Sequence, residues 1–298
     1  MEGPDTDDHV WRFGYGSNIG LEVLKQKKNL NPSQYFTGTI KGWSLFFMPG
    51  FQYLEPGWAA VRPNLDADLH GSAFCIPLHE AKGLDKQEGG YNVVPCKFCS
   101  YDGKTVHNVG LYVPKKEWSP SQPQGIPSLR YLRLLRNGAR EGNLSKKWIS
   151  YLDSIQHYVT PTDVRRQTKQ WIADFEADPA LNGVIWTAEN LARYDGSDPD
   201  LPVHSCVMSY VVKVNPNAFL LSPWKGHTVT RRNLLQFNGK SLDTNDIRFG
   251  QTGFLPLPDL NDCSDEEREY LLQSLEFLLH RGGVIVARLK ESMDSQSD

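Results

Sequence analysis

The chain has 298 residues, with 32 Lys and Arg against 35 Asp and Glu, a formal net charge of −3, and 39% hydrophobic and 22% charged residues. This is the composition of a folded chain with room for one large domain or two, and it excludes disorder over most of the length. The balanced charge offers no phosphate footprint, so no nucleic-acid partner is expected, and apolar runs as short as 283–287 fall far below the roughly 20 residues that cross a bilayer.

The first eight residues, MEGPDTDD, are acidic and polar, with neither the basic nor the apolar region of a secretory signal. Five cysteines, of which only Cys96 and Cys99 are closely spaced, do not make a disulfide framework. A reducing, cytoplasmic setting is expected, with 1–9 and 291–298 as disordered tails. No repeat of solenoid or propeller period is present.

Strands are predicted over 10–15, 43–47, 58–61, 71–76, 91–96 and 107–113, each a short apolar or aromatic run bounded by Gly, Pro or Asn. Spacing this short favours an antiparallel or barrel-like sheet over repeated βαβ units. A Pro-rich loop follows at 119–127, then helical patterns over 128–135 and 145–155. In the second of these Trp148, Ile149, Leu152 and Ile155 recur at three- and four-residue steps. Asn137-Gly138 and Gly142-Asn143 punctuate the pair. Thr160-Pro161-Thr162-Asp163 is a helix-start signal and puts a boundary near 160.

Beyond it, a helix is expected over 165–176 and a strand over 207–214. Ser264-Asp265-Glu266-Glu267 reads as a capping box opening a helix that carries Tyr270, Leu271, Leu275 and Phe277–Leu279. Gly282-Gly283 stops it, and 284–289 forms a final strand. The chain thus reads as α+β, with one domain over 10–160 and a mixed α/β region of unknown fold and role over 161–290.

Two segments can carry chemistry. Gly14-Tyr15-Gly16-Ser17-Asn18 closes the first strand, and such a turn can converge backbone N–H groups on a carboxylate or oxyanion. The other reading makes it a strand-to-helix turn with Ser17 or Asn18 as an N-cap. In 83–91 two carboxylates, Asp85 and Glu88, stand three residues apart on a helical turn stopped by Gly89-Gly90. A carboxylate lifted from such a turn into a pocket suits general acid–base work; the alternative is a solvated charged turn.

Taken together and in this order, the two segments resemble the γ-glutamylcyclotransferase family of the AIG2-like, butirosin-G-like superfamily. That family opens with a Tyr-Gly-Ser-Asn loop and later carries Leu-Asp-x-x-Glu-Gly, as Leu84-Asp85-Lys86-Gln87-Glu88-Gly89 does here. Pro127–Tyr131 and Gly138–Leu144 resemble its closing segment, and the intact Asn18 favours the branch proper over the ChaC branch. The resemblance covers about half the chain. It implies a small, mostly antiparallel β-barrel with flanking helices. The implied reaction is attack of the α-amine of a γ-glutamyl group on its own γ-carbonyl, giving 5-oxoproline and a free amine.

The resemblance also implies that Glu88 is the general acid and base, that Gly14, Tyr15, Gly16, Ser17 and Asn18 bind the γ-glutamyl headgroup, and that Tyr91 and Tyr131 line the substrate. A small-molecule γ-glutamyl substrate is the expected partner, with a homodimer as a further option and neither metal nor cofactor. Here only two glycines separate Glu88 from Tyr91, a shorter gap than in many relatives, and 161–298 has no counterpart in the small family members. Alternative readings are a non-catalytic small-molecule binding module and a dedicated biosynthetic enzyme that removes a γ-glutamyl group.

Other clusters carry weaker signals. Cys96-Lys97-Phe98-Cys99 lacks the second pair of a zinc site and reads as structural, with redox or metal use as the alternative. Asp195, Asp198 and Asp200 before His204 and Cys206 read as a solvated loop without the later Glu of an EF-hand. Lys225, His227, Arg231 and Arg232 read as a basic surface loop.

Overall fold

A computed structural model describes residues 9–51, 55–119, 121–187, 190, 191, 193, 194, 198, 200–214 and 265–289. The chain divides into two units, Met1–Tyr158 and Val159–Asp298.

The first unit is a closed barrel in the order β1-β3-β2-β4-β5. Its strands are β1 (His9–Gly14), β2 (Gln34–Phe51), β3 (Glu55–Pro77), β4 (Tyr91–Ser100) and β5 (Val106–Pro114). All neighbours are antiparallel except β1 and β5, which close the ring through two parallel pairs, Arg12↔Gly110 and Phe13↔Leu111. Phe13, Phe74, Phe98, Ile40, Leu69 and Leu111 fill the core, each taking a large apolar surface out of water.

The strands expected over 43–47, 58–61 and 71–76 are pieces of two long strands. β2 and β3 pair from Gln34↔Cys75 out to Phe51↔Glu55, with a register shift between Lys41 and Trp43. Gly42 takes φ +82° at that shift, a conformation open to glycine at little cost. On β3 the shift falls between Pro63 and Asp68, where the exposed Asn64, Leu65 and Asp66 interrupt the apolar pattern. The outer half of this hairpin is an arm that packs against 125–127, with the Gly125 N–H donating to the Phe47 carbonyl at 2.8 Å.

The helices of this unit are α1 (Leu21–Lys28), α2 (Leu78–Gln87), α3 (Leu129–Glu141) and α4 (Lys146–Ser154). Ser128 and Ser145 cap α3 and α4 by accepting from the amides of Tyr131 and Trp148. Gly138, expected to punctuate, lies inside α3. A Cβ there would come within 2.2 Å of Ile19, so the glycine serves close packing of α3 against the loop after β1.

The second unit holds a four-stranded sheet in the order β6-β9-β8-β7, from β6 (Ile185–Trp186), β7 (His204–Val207), β8 (Tyr210–Lys213) and β9 (Val284–Leu289). The helices whose backbone is fully described in it are α5 (Thr162–Ala177), α6 (Pro179–Asn182) and α7 (Asp265–Leu279). The single strand expected over 207–214 is instead a hairpin. Met208 at φ 52° and Ser209 at φ 64° form its two-residue turn, the geometry that matches strand twist. Met-Ser is not a turn sequence, so the alternation runs through it unbroken. In α7, Leu271, Leu275, Phe277, Leu278 and Leu279 are buried, and Gly282 at φ 84° follows the helix end. The side chains of the capping box at 264, 266 and 267, the side chain of Tyr270, residues 1–8 and 291–298 of the expected tails, Asp195 and the basic cluster at 225–232 lie outside the described residues, whereas His9, expected in the first tail, begins β1 and pairs with Pro77.

Candidate active site

The site is built where the loop after β1 meets the end of α2. Gly14 closes a tight turn: a Cβ on it would lie 2.1 Å from the carbonyl oxygen of Asn18. Tyr15 is buried, and its hydroxyl donates to the Tyr112 carbonyl at 2.6 Å. Gly16 passes so close to the arm that a Cβ would stand 3.1 Å from both Ala59 Cβ and Tyr131 Oη. Ser17 is half-buried. Neither Ser17 nor Asn18 caps α1, whose N-cap is Gly20. The carboxylate of Glu141 instead accepts from the Glu22 amide at 2.8 Å.

Asn18 is buried, and its Nδ2 donates to Glu88 Oε1 at 3.1 Å. Glu88 is the C-cap of α2, its N–H bonded to the Leu84 carbonyl, and its side chain is 21% exposed. This is a partly enclosed acid rather than one on a solvated turn. Lys28 Nζ at the end of α1 stands 3.5 Å from the same Oε1. Asp85, the other carboxylate of the turn, is taken up by Arg12 Nε and Nη2 at 3.0 and 2.7 Å and by the Tyr112 hydroxyl at 2.7 Å.

Tyr91 and Tyr131 converge on the backbone of one residue of the arm, Ala59. Tyr91 Oη donates to the Ala59 carbonyl at 3.0 Å, and the Ala59 N–H donates to Tyr131 Oη at 3.2 Å. Tyr131 is therefore an acceptor here and keeps its hydroxyl proton for another partner. Burial, reinforced by the charge of Glu88, pushes the Tyr15, Tyr91 and Tyr131 phenols upward, and burial does the same at Tyr112. All four remain neutral donors and acceptors across the physiological range.

The arm is pinned to α3 by Glu55, a buried carboxylate that accepts from the Ser128 amide and hydroxyl and from Arg130. Trp58 meets Tyr131 edge to face, with centroids 5.8 Å apart. Ala59, Glu55 and Lys28 carry no signal in the sequence. Ala59 acts through its backbone, and the other two act through partners far along the chain, Glu88 for Lys28 and Ser128 for Glu55.

Cys96 and Cys99 sit three apart on β4, so they point to opposite faces. Burial raises the Cys96 thiol, and neither feature supports a redox or metal pair. His204 packs against Trp186 and Tyr194, with centroids 4.9 and 5.0 Å away. Among the described residues no cluster of three or more His, Cys, Asp or Glu could hold a metal ion, and no helix is long and apolar enough to cross a membrane.

The N-terminal half, where a small closed barrel sets a Gly-Tyr-Gly-Ser-Asn loop against a glutamate at a helix end, is similar in sequence to γ-glutamyl cyclotransferases. Two curated relatives carry that name. The chain is 26% identical over 178 residues to the γ-glutamyl cyclotransferase aclK of Aspergillus oryzae, covering 52% of this chain. It is 27% identical over 191 residues to gliK of Aspergillus fumigatus, covering 54% of this chain. The match spans 63% and 67% of the lengths of these relatives. No protein-family model matches the chain. Among solved structures, an uncharacterized human protein is 22% identical, with a TM-score of 0.45 over 52% of this chain and 92% of that one. A structure described as a γ-glutamyl cyclotransferase is 20% identical, with a TM-score of 0.44 over 55% of this chain and 99% of that one.

Proposed function

We propose that the chain is an enzyme that cyclises the γ-glutamyl group of a γ-glutamyl amino acid or amine to 5-oxoproline and releases the free amine. The observation that carries this reading is the hydrogen bond from Asn18 to Glu88, which joins the loop and the acid in one partly enclosed site. The buried Asn18 Oδ1 has no hydrogen-bond partner among the described residues. Together with the Glu88 carboxylate, this acceptor suits the α-ammonium of a γ-glutamyl group.

In this mechanism Glu88 takes a proton from the α-ammonium. That proton passes to solvent, and the freed amine attacks the γ-carbonyl; Glu88 then takes the second proton from the attacking nitrogen and delivers it to the leaving nitrogen as the γ-amide C–N bond breaks and the five-membered lactam closes. The Gly14–Asn18 loop binds the headgroup, and Tyr91 and Tyr131 line it. Because nucleophile and carbonyl belong to one molecule, holding the chain folded supplies much of the acceleration. The substrate is a soluble small molecule, and a cytoplasmic setting and a domain boundary near 160 belong to the same reading.

The test is 5-oxoproline release from γ-glutamyl-alanine, ε-(γ-glutamyl)-lysine, glutathione and a γ-glutamyl alkylamine, with wild type and Glu88→Gln side by side. Wild-type release that the variant lacks is expected. Equal release by both would overturn the role of Glu88. Silence across the panel from a folded protein would point to a specialised γ-glutamyl substrate or to the binding-module reading, which a metabolite-binding screen separates.

A further inference from the structure

We propose that Asp85 is a positioning residue: with Arg12 and Tyr112 it fixes the last turn of α2 and so sets the carboxylate of Glu88 against Asn18. The inference rests on the role given above to Glu88.

Glu88 stands where a helix is least secure, with two glycines behind it. Its backbone is held by local bonds, its own N–H to the Leu84 carbonyl and the Tyr91 N–H to its carbonyl, both at 2.9 Å. Helix ends of this kind fray at little cost. Asp85 lies one turn earlier, and Arg12 grips it through two nitrogens, a geometry that fixes orientation as well as distance. Tyr112 adds a third bond.

These partners come from β1 and β5, the two strands that meet in parallel to close the barrel. The Tyr112 carbonyl in turn accepts the hydroxyl of Tyr15. One chain of contacts therefore links the turn bearing Glu88 to the loop bearing Asn18. Asp85 is poorly suited to being a second proton carrier. Burial disfavours its charge, but the bonds from Arg12 and Tyr112 outweigh this and hold its carboxyl below the usual range.

The test combines kinetics with amide hydrogen exchange on Asp85→Asn and Tyr112→Phe in the full chain. Asp85→Asn should lower kcat by about 10–100-fold, the scale of a misplacement near 1 Å, with KM little changed. Tyr112→Phe should give a smaller loss of the same kind. Exchange should accelerate at the Glu88 and Tyr91 amides while the amides of α4 keep their protection; a merely structural defect would raise exchange throughout the barrel. Unchanged kcat together with unchanged exchange at 88 and 91 would overturn the proposal. If wild type releases no 5-oxoproline, the function assigned to the site fails, and the exchange comparison still decides whether Asp85 anchors the turn.

Discussion

The side-chain amide of Asn18 donates to Glu88 Oε1 at 3.1 Å, while the Lys28 ammonium approaches the same oxygen at 3.5 Å. One carboxylate oxygen is thus steered from two sides, by a neutral donor in the loop after β1 and by a cation at the end of α1. Replacing Asn18 with Ala leaves Lys28 as the remaining partner and lets the acid turn toward it. The expected result is a fall in kcat on the order of 10–100-fold with the fold retained, read by steady-state 5-oxoproline release and circular dichroism.

Lys28→Met should act in the other direction on binding. The ion pair is about one-fifth exposed on each side and belongs to the range of about 0.2–1 kcal/mol. A substrate ammonium must compete with it for Glu88. KM is expected to fall by up to about fivefold, with thermal stability almost unchanged; an increase in KM would show that Lys28 assists binding.

Tyr131→Phe removes the acceptor of the Ala59 N–H. Leaving a buried donor unpaired costs about 1–3 kcal/mol, so the melting temperature should drop. Activity should drop as well if the proposed function is right, because that reading gives the hydroxyl's free proton to the substrate. Thermal unfolding and kcat/KM measured on one preparation separate the two effects.

The Arg12–Asp85 pair has a definite acid signature. The Asp85 carboxyl is held below its usual value in the folded protein, so its contribution to stability is present above the ordinary aspartate range. That contribution is lost as pH falls through the lower folded value. Wild type should be more stable than Asp85→Asn at about pH 6, and the gap should close as pH drops below the ordinary aspartate value. A gap that persists unchanged to strongly acidic pH would contradict the assignment.

What the sequence made legible was local. Gly14–Asn18, Glu88 and Tyr131 each sit in a short run whose residue types announce a turn, an acid or a capped helix, and the structure brings loop, acid and tyrosine together. What stayed hidden was non-local or carried by backbone. Strand β2 begins at Gln34, but Thr37, Gly38 and Thr39 dilute its apolar signal. Helix α1 ends in Lys25-Gln26-Lys27-Lys28, which reads as solvated chain until Lys28 is seen beside Glu88. Ala59 has a small, ordinary side chain, and its part lies in its backbone, whose N–H donates to Tyr131 of α3 and whose carbonyl accepts from Tyr91 of β4. The hairpin of β7 and β8 reads as one strand because Met208 and Ser209 carry no turn chemistry.

The barrel's closing seam has a consequence of its own. Only two parallel pairs, Arg12↔Gly110 and Phe13↔Leu111, stitch the ring shut, and the loop bearing Asn18 leaves β1 immediately beyond them. Transient opening of the ring should begin at this short join, and each such event would carry the loop away from the acid. Under mild heat or dilute denaturant, turnover should therefore decline before bulk helix and sheet content does, making the reaction rate a sensitive gauge of whether the cylinder is shut.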